Sequence, residues 1–257
     1  MAIIAHLSKV VKSCRFITLF CGNVVSKVRQ RGENTDFLAR VEGTEMQWAL
    51  LGAWTGVIWA GTRGSGEARW LKGCVAFMLA LSMGTQLWLL RLDGLLTLET
   101  ALPLHLCGLF GVLSIPMLLW GAPAPLYEAS VFLAAPAAFC TLFFPAVIAC
   151  SHPFWMRLAF TRLHVLLALM PLLFFRTGKP LPTDPRRTFL VGNGYLLFIG
   201  AFNRAFHTNY LFLRAAPAGT PLSVLFARGA PFYVCALEML CMLVFSWLKA
   251  LYAHCRK

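Results

Sequence analysis

Charge is what this sequence has little of. Of its 257 residues, 13% are Asp, Glu, Lys or Arg, against 59% hydrophobic, and the mean hydropathy is +0.70. A water-soluble domain needs roughly a quarter of its residues charged, so that class is excluded. Acidic residues are scarcer still, 10 against 23 Lys plus Arg, for a net charge of +13. In so apolar a chain a basic excess points to anionic lipid head groups as partners. No nucleic-acid-binding pattern accompanies it, and nucleic acid is excluded. Paired cysteines are also lacking: the nine, at 14, 21, 74, 107, 140, 150, 235, 241 and 255, form no C-x-x-C. An odd, scattered set within apolar runs argues against a disulfide framework and a zinc site, and no metal or cofactor is expected.

What the chain does have is apolar length. Runs of about 20 residues, enough to cross a bilayer as helix, recur at 46–61, 72–91, 101–120, 126–147, 154–175, 189–211 and 231–252. Trp48, Trp59, Trp70, Trp120 and Trp155 stand at run ends as interfacial anchors do. The expected fold is all-α, a single bundle of seven transmembrane helices over 46–252. A basic extension (1–45) would lie on the membrane surface as an amphipathic helix, and 253–257 is a short basic tail. The loops GTRGSGEAR (61–69) and RTGKPLPTDPRR (176–187) carry Gly, Pro and charge. No strand precedes the first, so it reads as an interfacial loop rather than a phosphate cradle. From the first span onward, basic loops favour a C-terminus on the inner side, while Lys9, Lys12, Arg15, Lys27, Arg29, Arg31 and Arg40 pull the other way.

Polar groups inside spans are costly unless used. Ser82, Gln86 and Asp93 share a helical face in the second span, and Cys107, Gly111 and Ser114 share one in the third. The fifth repeats the spacing with Arg157, Thr161 and His164. The sixth does so with Gly200, Asn203, His207 and Tyr210, with Arg204 adjacent; the seventh adds Tyr233 and Glu238. The small residues read as packing glue. The ionisable ones, His105, His164, His207, Arg157, Arg204 and Glu238, mark a site or pathway. His105 and Cys107 are close in sequence, but two positions along a helix are about 200° apart, so they share no face. The partner for Cys107 must come from another helix. His164, at matching depth on its span's polar face, is the candidate, since an imidazole can take a proton from a thiol that burial would leave inert. Asn203, His207 or Tyr210 would orient the base or donate to an oxyanion.

LPLHLC (102–107), HPFW with RLHVLL (162–167), N-x-x-F-x-T-N-Y-L-F-L (203–213) and APFYV (230–234) with Glu238 resemble the bacterial YwaF-like integral membrane proteins over about 46–252. TNYLFL, which includes Asn209 and Tyr210, is the most specific piece. The spirochaete-type members are the most similar. That family is distantly similar to a eukaryotic multi-pass lipid acyltransferase that uses a Cys–His pair, while related hydrolases of fatty acid esters use Thr and His. The resemblance implies Cys107 as nucleophile, His164 as general base, and a bacterial cytoplasmic membrane as location. Expected beside them in the site are His105, Arg157, Asn203, Arg204, His207, Asn209, Tyr210 and Glu238. The implied activity is a phospholipid acyltransferase or acyl hydrolase acting through a Cys thioester. The alternative is a binding or transport protein in which His164, His207, Arg204, Glu238 and Asp93 form an intramembrane pathway; no inverted repeat of the transporter kind accompanies it.

Overall fold

The computed structural model describes residues 35–63, 68–216 and 221–255. The expected surface helix over 1–34 lies outside them. Among the described residues the protein is all-α. In chain order the helices are α1 (Thr35–Gly61), α2 (Arg69–Leu92), α3 (Leu98–Ala101), α4 (Leu106–Leu119), α5 (Ala124–Phe143), α6 (Pro153–Arg176), α7 (Arg186–Phe206), α8 (Pro221–Phe226) and α9 (Ala230–Cys255).

Five stretches are helical, long and apolar enough to cross a membrane: α2, α3 with α4 (Leu98–Leu119), α5, α6 and Pro231–Tyr252 within α9. They coincide with five of the seven expected spans. The other two, 46–61 and 189–211, fall on α1 and α7, helices too polar to join the five. α1 begins at Thr35, well before the boundary expected at 46. α7 stops at Phe206 rather than 211, because His207 turns left-handed (φ 56°), where no α-helix continues. The helical spacing read through His207 and Tyr210 therefore does not hold.

α6 is the hub. It packs on α1, α2, α4 and α5, and its wall of Leu163, Leu166, Leu167 and Met170 meets Leu71, Val75 and Leu79 of α2, Phe110 and Met117 of α4, and Val131, Ala134 and Ala138 of α5 in one apolar cluster. Each such Leu, Val, Phe or Met side chain, fully buried, is worth about 1.5–3 kcal/mol against water. In lipid that driving force between helices is absent, and close packing takes its place. Gly111 supplies it between α2, α4 and α6: a Cβ there would lie 2.8 Å from the Met83 sulfur and 3.1 Å from Leu163.

Two local devices shape the spans. Pro136 lacks the N–H that an α-helix would use, and α5 passes through a π turn, Ser130–Ala134, just before it. Thr97 and Thr100 form a capping box that starts α3, each side chain bonded to the other's backbone N–H. α3 then ends at Ala101, and the chain restarts as α4 after an extended His105 (φ −71°, ψ 145°). His105 is thus the N-cap of α4 and not a residue within the helix.

Candidate functional site

The joint between α3 and α4 is held by the corner that follows α7. Asn203, buried in the last turn of α7, accepts from the Tyr210 N–H at 2.8 Å and from the Thr208 hydroxyl at 2.9 Å through Oδ1. Its Nδ2 donates to the Tyr210 carbonyl at 2.8 Å. The Tyr210 hydroxyl donates to Leu98 O at 2.6 Å, and the Tyr195 hydroxyl donates to Leu104 O at 2.7 Å. His105 is enclosed by these groups. Its ring centroid lies 5.1 Å from that of Tyr210 and 5.2 Å from that of Phe212, and its Nδ1 accepts from the Leu211 N–H at 3.4 Å. Leu211 (φ 55°) and Phe212 (φ 56°) take left-handed backbone, which costs bulky residues about 1–3 kcal/mol each and persists only where surroundings impose it. The Asn203 clamp imposes it here. Asn209 closes the far side, accepting from the Arg214 and Ala215 N–H groups at 2.9 and 3.0 Å. LPLHLC and N-x-x-F-x-T-N-Y-L-F-L, remote in sequence, form one bonded corner.

Cys107 is the second residue of α4, next to that corner and partly exposed. No side chain caps α4, and its first helical bond runs from Leu109 N to His105 O at 2.8 Å. The N–H groups of Leu106, Cys107 and Gly108 precede that bond, so the positive end of the helix dipole lies at the thiol. The thiol is neighboured by the Thr141 hydroxyl and by Cys140, both on α5.

His164 is buried in the middle of α6 at 5% exposure. Its Nδ1 lies 2.7 Å from the Phe160 carbonyl oxygen one turn back, and its ring stacks on Phe160 at 4.1 Å between centroids. A carbonyl only accepts, so Nδ1 carries the proton and Nε2 keeps its lone pair. The hydrogen bonds of Cys107 and His164 thus go to different partners. Their helices pack on each other: Leu163, which precedes His164, meets Gly111, one turn along α4 from Cys107. Thr161 and Ser114, on the same faces, are fully buried, with hydroxyl oxygens that have no hydrogen-bond partner among the described residues.

The remaining candidates do not converge. Arg204 and His207 are exposed. Glu238 accepts from Asn193 at 3.3 Å. Asp93, outside α2, accepts from the Ser151 hydroxyl at 2.5 Å and the Ser151 N–H at 2.6 Å. Arg157 is half-buried on α6. His105, Asn203, Asn209 and Tyr210 do come together, with the hydrogen bonds of a structural corner. Sequence reasoning missed Tyr195, Thr141 and Arg162. A tyrosine hydroxyl in a span requires an acceptor, a signal present at Tyr195 from the start. Arg162 donates through Nε to Ser82 Oγ at 2.7 Å, and an arginine in a span is equally conspicuous. Among the described residues no three His, Cys, Asp or Glu side chains group as metal ligands.

Several helices long and apolar enough to cross a membrane define a multi-pass membrane protein. A family model matches residues 38–249, and the chain belongs to the TMEM164 family. No curated protein and no solved structure matches the chain.

Proposed function

We propose that the protein is a membrane-embedded lipid acyltransferase or acyl hydrolase, with Cys107 as nucleophile and His164 as general base. In this reading α1 and α7 also cross the membrane, completing a seven-helix bundle of the kind the YwaF-like resemblance implies. The observation that carries the proposal is the Nδ1 bond of His164 to Phe160, which leaves Nε2 free to accept a proton inside an otherwise apolar span.

In the first step Nε2 takes the Cys107 proton and the thiolate attacks the carbonyl carbon of a phospholipid ester. The carbonyl oxygen becomes an oxyanion, which the free N–H groups at the start of α4 suit. Collapse breaks the ester C–O bond; the leaving oxygen takes the proton back from His164, and a lysolipid departs. Cys107 now carries the acyl chain as a thioester. In the second step the hydroxyl of a lysolipid, or water, gives its proton to Nε2 and attacks the thioester. Cys107 leaves as thiolate and is reprotonated by His164. His105, Asn203 and Tyr210 act on the reaction by fixing where α4 begins, and with it the Cys107 backbone. Binding or transport, the alternative, gains no support from Arg204, His207, Asp93 and Glu238, which face separate partners or the surface.

The test is turnover by the full chain in nanodiscs containing an acyl-labelled phospholipid and an unlabelled lysolipid. Appearance of label in the acceptor, lost in Cys107→Ala and in His164→Asn, supports the proposal. Undiminished transfer in Cys107→Ala refutes it.

A further inference from the structure

Away from Cys107, where α2 begins and α4 and α6 end, the protein has a cavity of about 620 Å³. Its walls are the first turn of α2 with Arg69 and Lys72, the end of α4 through Ala122, and the turn after α6 with Lys179. Among the described residues this lining holds no carboxylate. We propose that the cavity binds the phosphate of an anionic phospholipid, independently of the acyl-transfer reading.

Three observations converge on a phosphate. The lysines Lys72 and Lys179 line one volume, although like charges repel and a helix start disfavours cations. Lys179 is held firmly: its ammonium donates to the Ala122 carbonyl and sits 4.8 Å from the Tyr127 ring centre and 5.9 Å from that of Phe174. Burial first, and the charge of Lys72 second, hold Lys179 below the usual lysine range; a bound anion would reverse the second effect. Third, α2, a 24-residue helix, follows Ala68 with no side-chain cap among the described residues, so its first N–H groups face the same end.

The surroundings select a lipid over a soluble anion. Trp70 (60% exposed) and Trp120 (82% exposed) flank the cavity as interfacial anchors do. Met117, Leu118 and Phe174 form its apolar wall, suited to glycerol and the first methylenes of acyl chains. The same membrane face carries Arg176, Arg186 and Arg187 besides the three lining cations. A basic end of this kind attracts anionic head groups. The cavity lies at the C-terminal end of α4 and Cys107 at its N-terminal end, about 20 Å apart at 1.5 Å per residue. A lipid held here is therefore not the acyl donor at Cys107. It ties the ends of α2, α4 and α6, the helices that Gly111 packs together.

The experiment is native mass spectrometry of the full chain released from nanodiscs of phosphatidylcholine doped with phosphatidic acid, with Lys72→Gln/Lys179→Gln alongside. Retained phosphatidic acid adducts are expected on the wild type, weakened roughly thirty-fold in the double variant, as loss of two interfacial cations implies. Equal retention of phosphatidylcholine, or adducts undiminished in the double variant, overturns the proposal. Release of the adduct by millimolar inorganic phosphate identifies a soluble anion and overturns the lipid assignment. Should the double variant misfold, photoactivatable phosphatidic acid decides on the wild type. Crosslinks at 69–72 or 177–180 are expected, and crosslinks only elsewhere overturn the site.

Discussion

Asn203 holds the backbone of Tyr210 from both sides, its Oδ1 accepting the Tyr210 N–H and its Nδ2 donating to the Tyr210 carbonyl, each at 2.8 Å. A β-hairpin partner would bond a residue in the same way. Here one side chain does it, and it converts the end of α7 into the strained corner that grips His105.

Asn203→Ala removes three buried hydrogen bonds and leaves polar groups unpaired, a loss of about 2–4 kcal/mol. Thermal unfolding in detergent micelles is expected to show a clear drop for this variant. Asn209→Ala, whose bonds are exposed, is expected to cost about 1 kcal/mol or less. Equal effects of the two would contradict the clamp.

The helical runs were legible because a bilayer demands length and apolarity, and α2, α5, α6 and α9 obey both. The corner was not. Hydrophobic spacing carried α7 on to residue 211, whereas a single asparagine stops it at Phe206 by capturing Tyr210. The apolar run places His105 within a helix, whereas it is the N-cap of α4. The two residues bond to different partners, His105 Nδ1 accepting from the Leu211 N–H and Cys107 lying against the Thr141 hydroxyl. The motif residues Asn203, Asn209 and Tyr210 were visible as a group; their structural work was not, since it depends on a turn that no periodicity encodes.

His164→Asn keeps an amide nitrogen near the position of Nδ1, able to donate to Phe160, and removes Nε2. Transfer is expected to fall by about 10²–10⁴, with the melting temperature nearly unchanged. A variant that retains transfer would remove His164 from the chemistry.

Gly111→Ala drives a methyl group into Met83 and Leu163. The expected cost is about 1–3 kcal/mol, read as a lowered melting temperature. Gly200→Ala, with nothing within 4 Å of its Cβ, is expected to be neutral or to stabilise α7 by up to about 1 kcal/mol. The pair separates packing from helix propensity.

The Asp93 carboxyl lies below the usual carboxylate range, because the Ser151 hydroxyl and then the Ser151 N–H bond it. A depressed folded value means that the latch between α2 and the loop before α6 is fully present above the unfolded Asp value. It is lost as pH falls through the folded one. Exchange of the Ser151 amide, corrected for its intrinsic rate, is expected to accelerate as pH drops below about 4. Asp93→Asn is expected to flatten that dependence; a wild type already insensitive to acid would contradict the latch.

The most direct measurement is the intact mass of the full chain after incubation with a phospholipid of defined acyl chains. The expected result is an added mass of one acyl group, released by neutral hydroxylamine, mapped to Cys107 and absent in Cys107→Ala. An acyl adduct of the same stoichiometry that persists in Cys107→Ala would contradict the assignment of Cys107 as nucleophile.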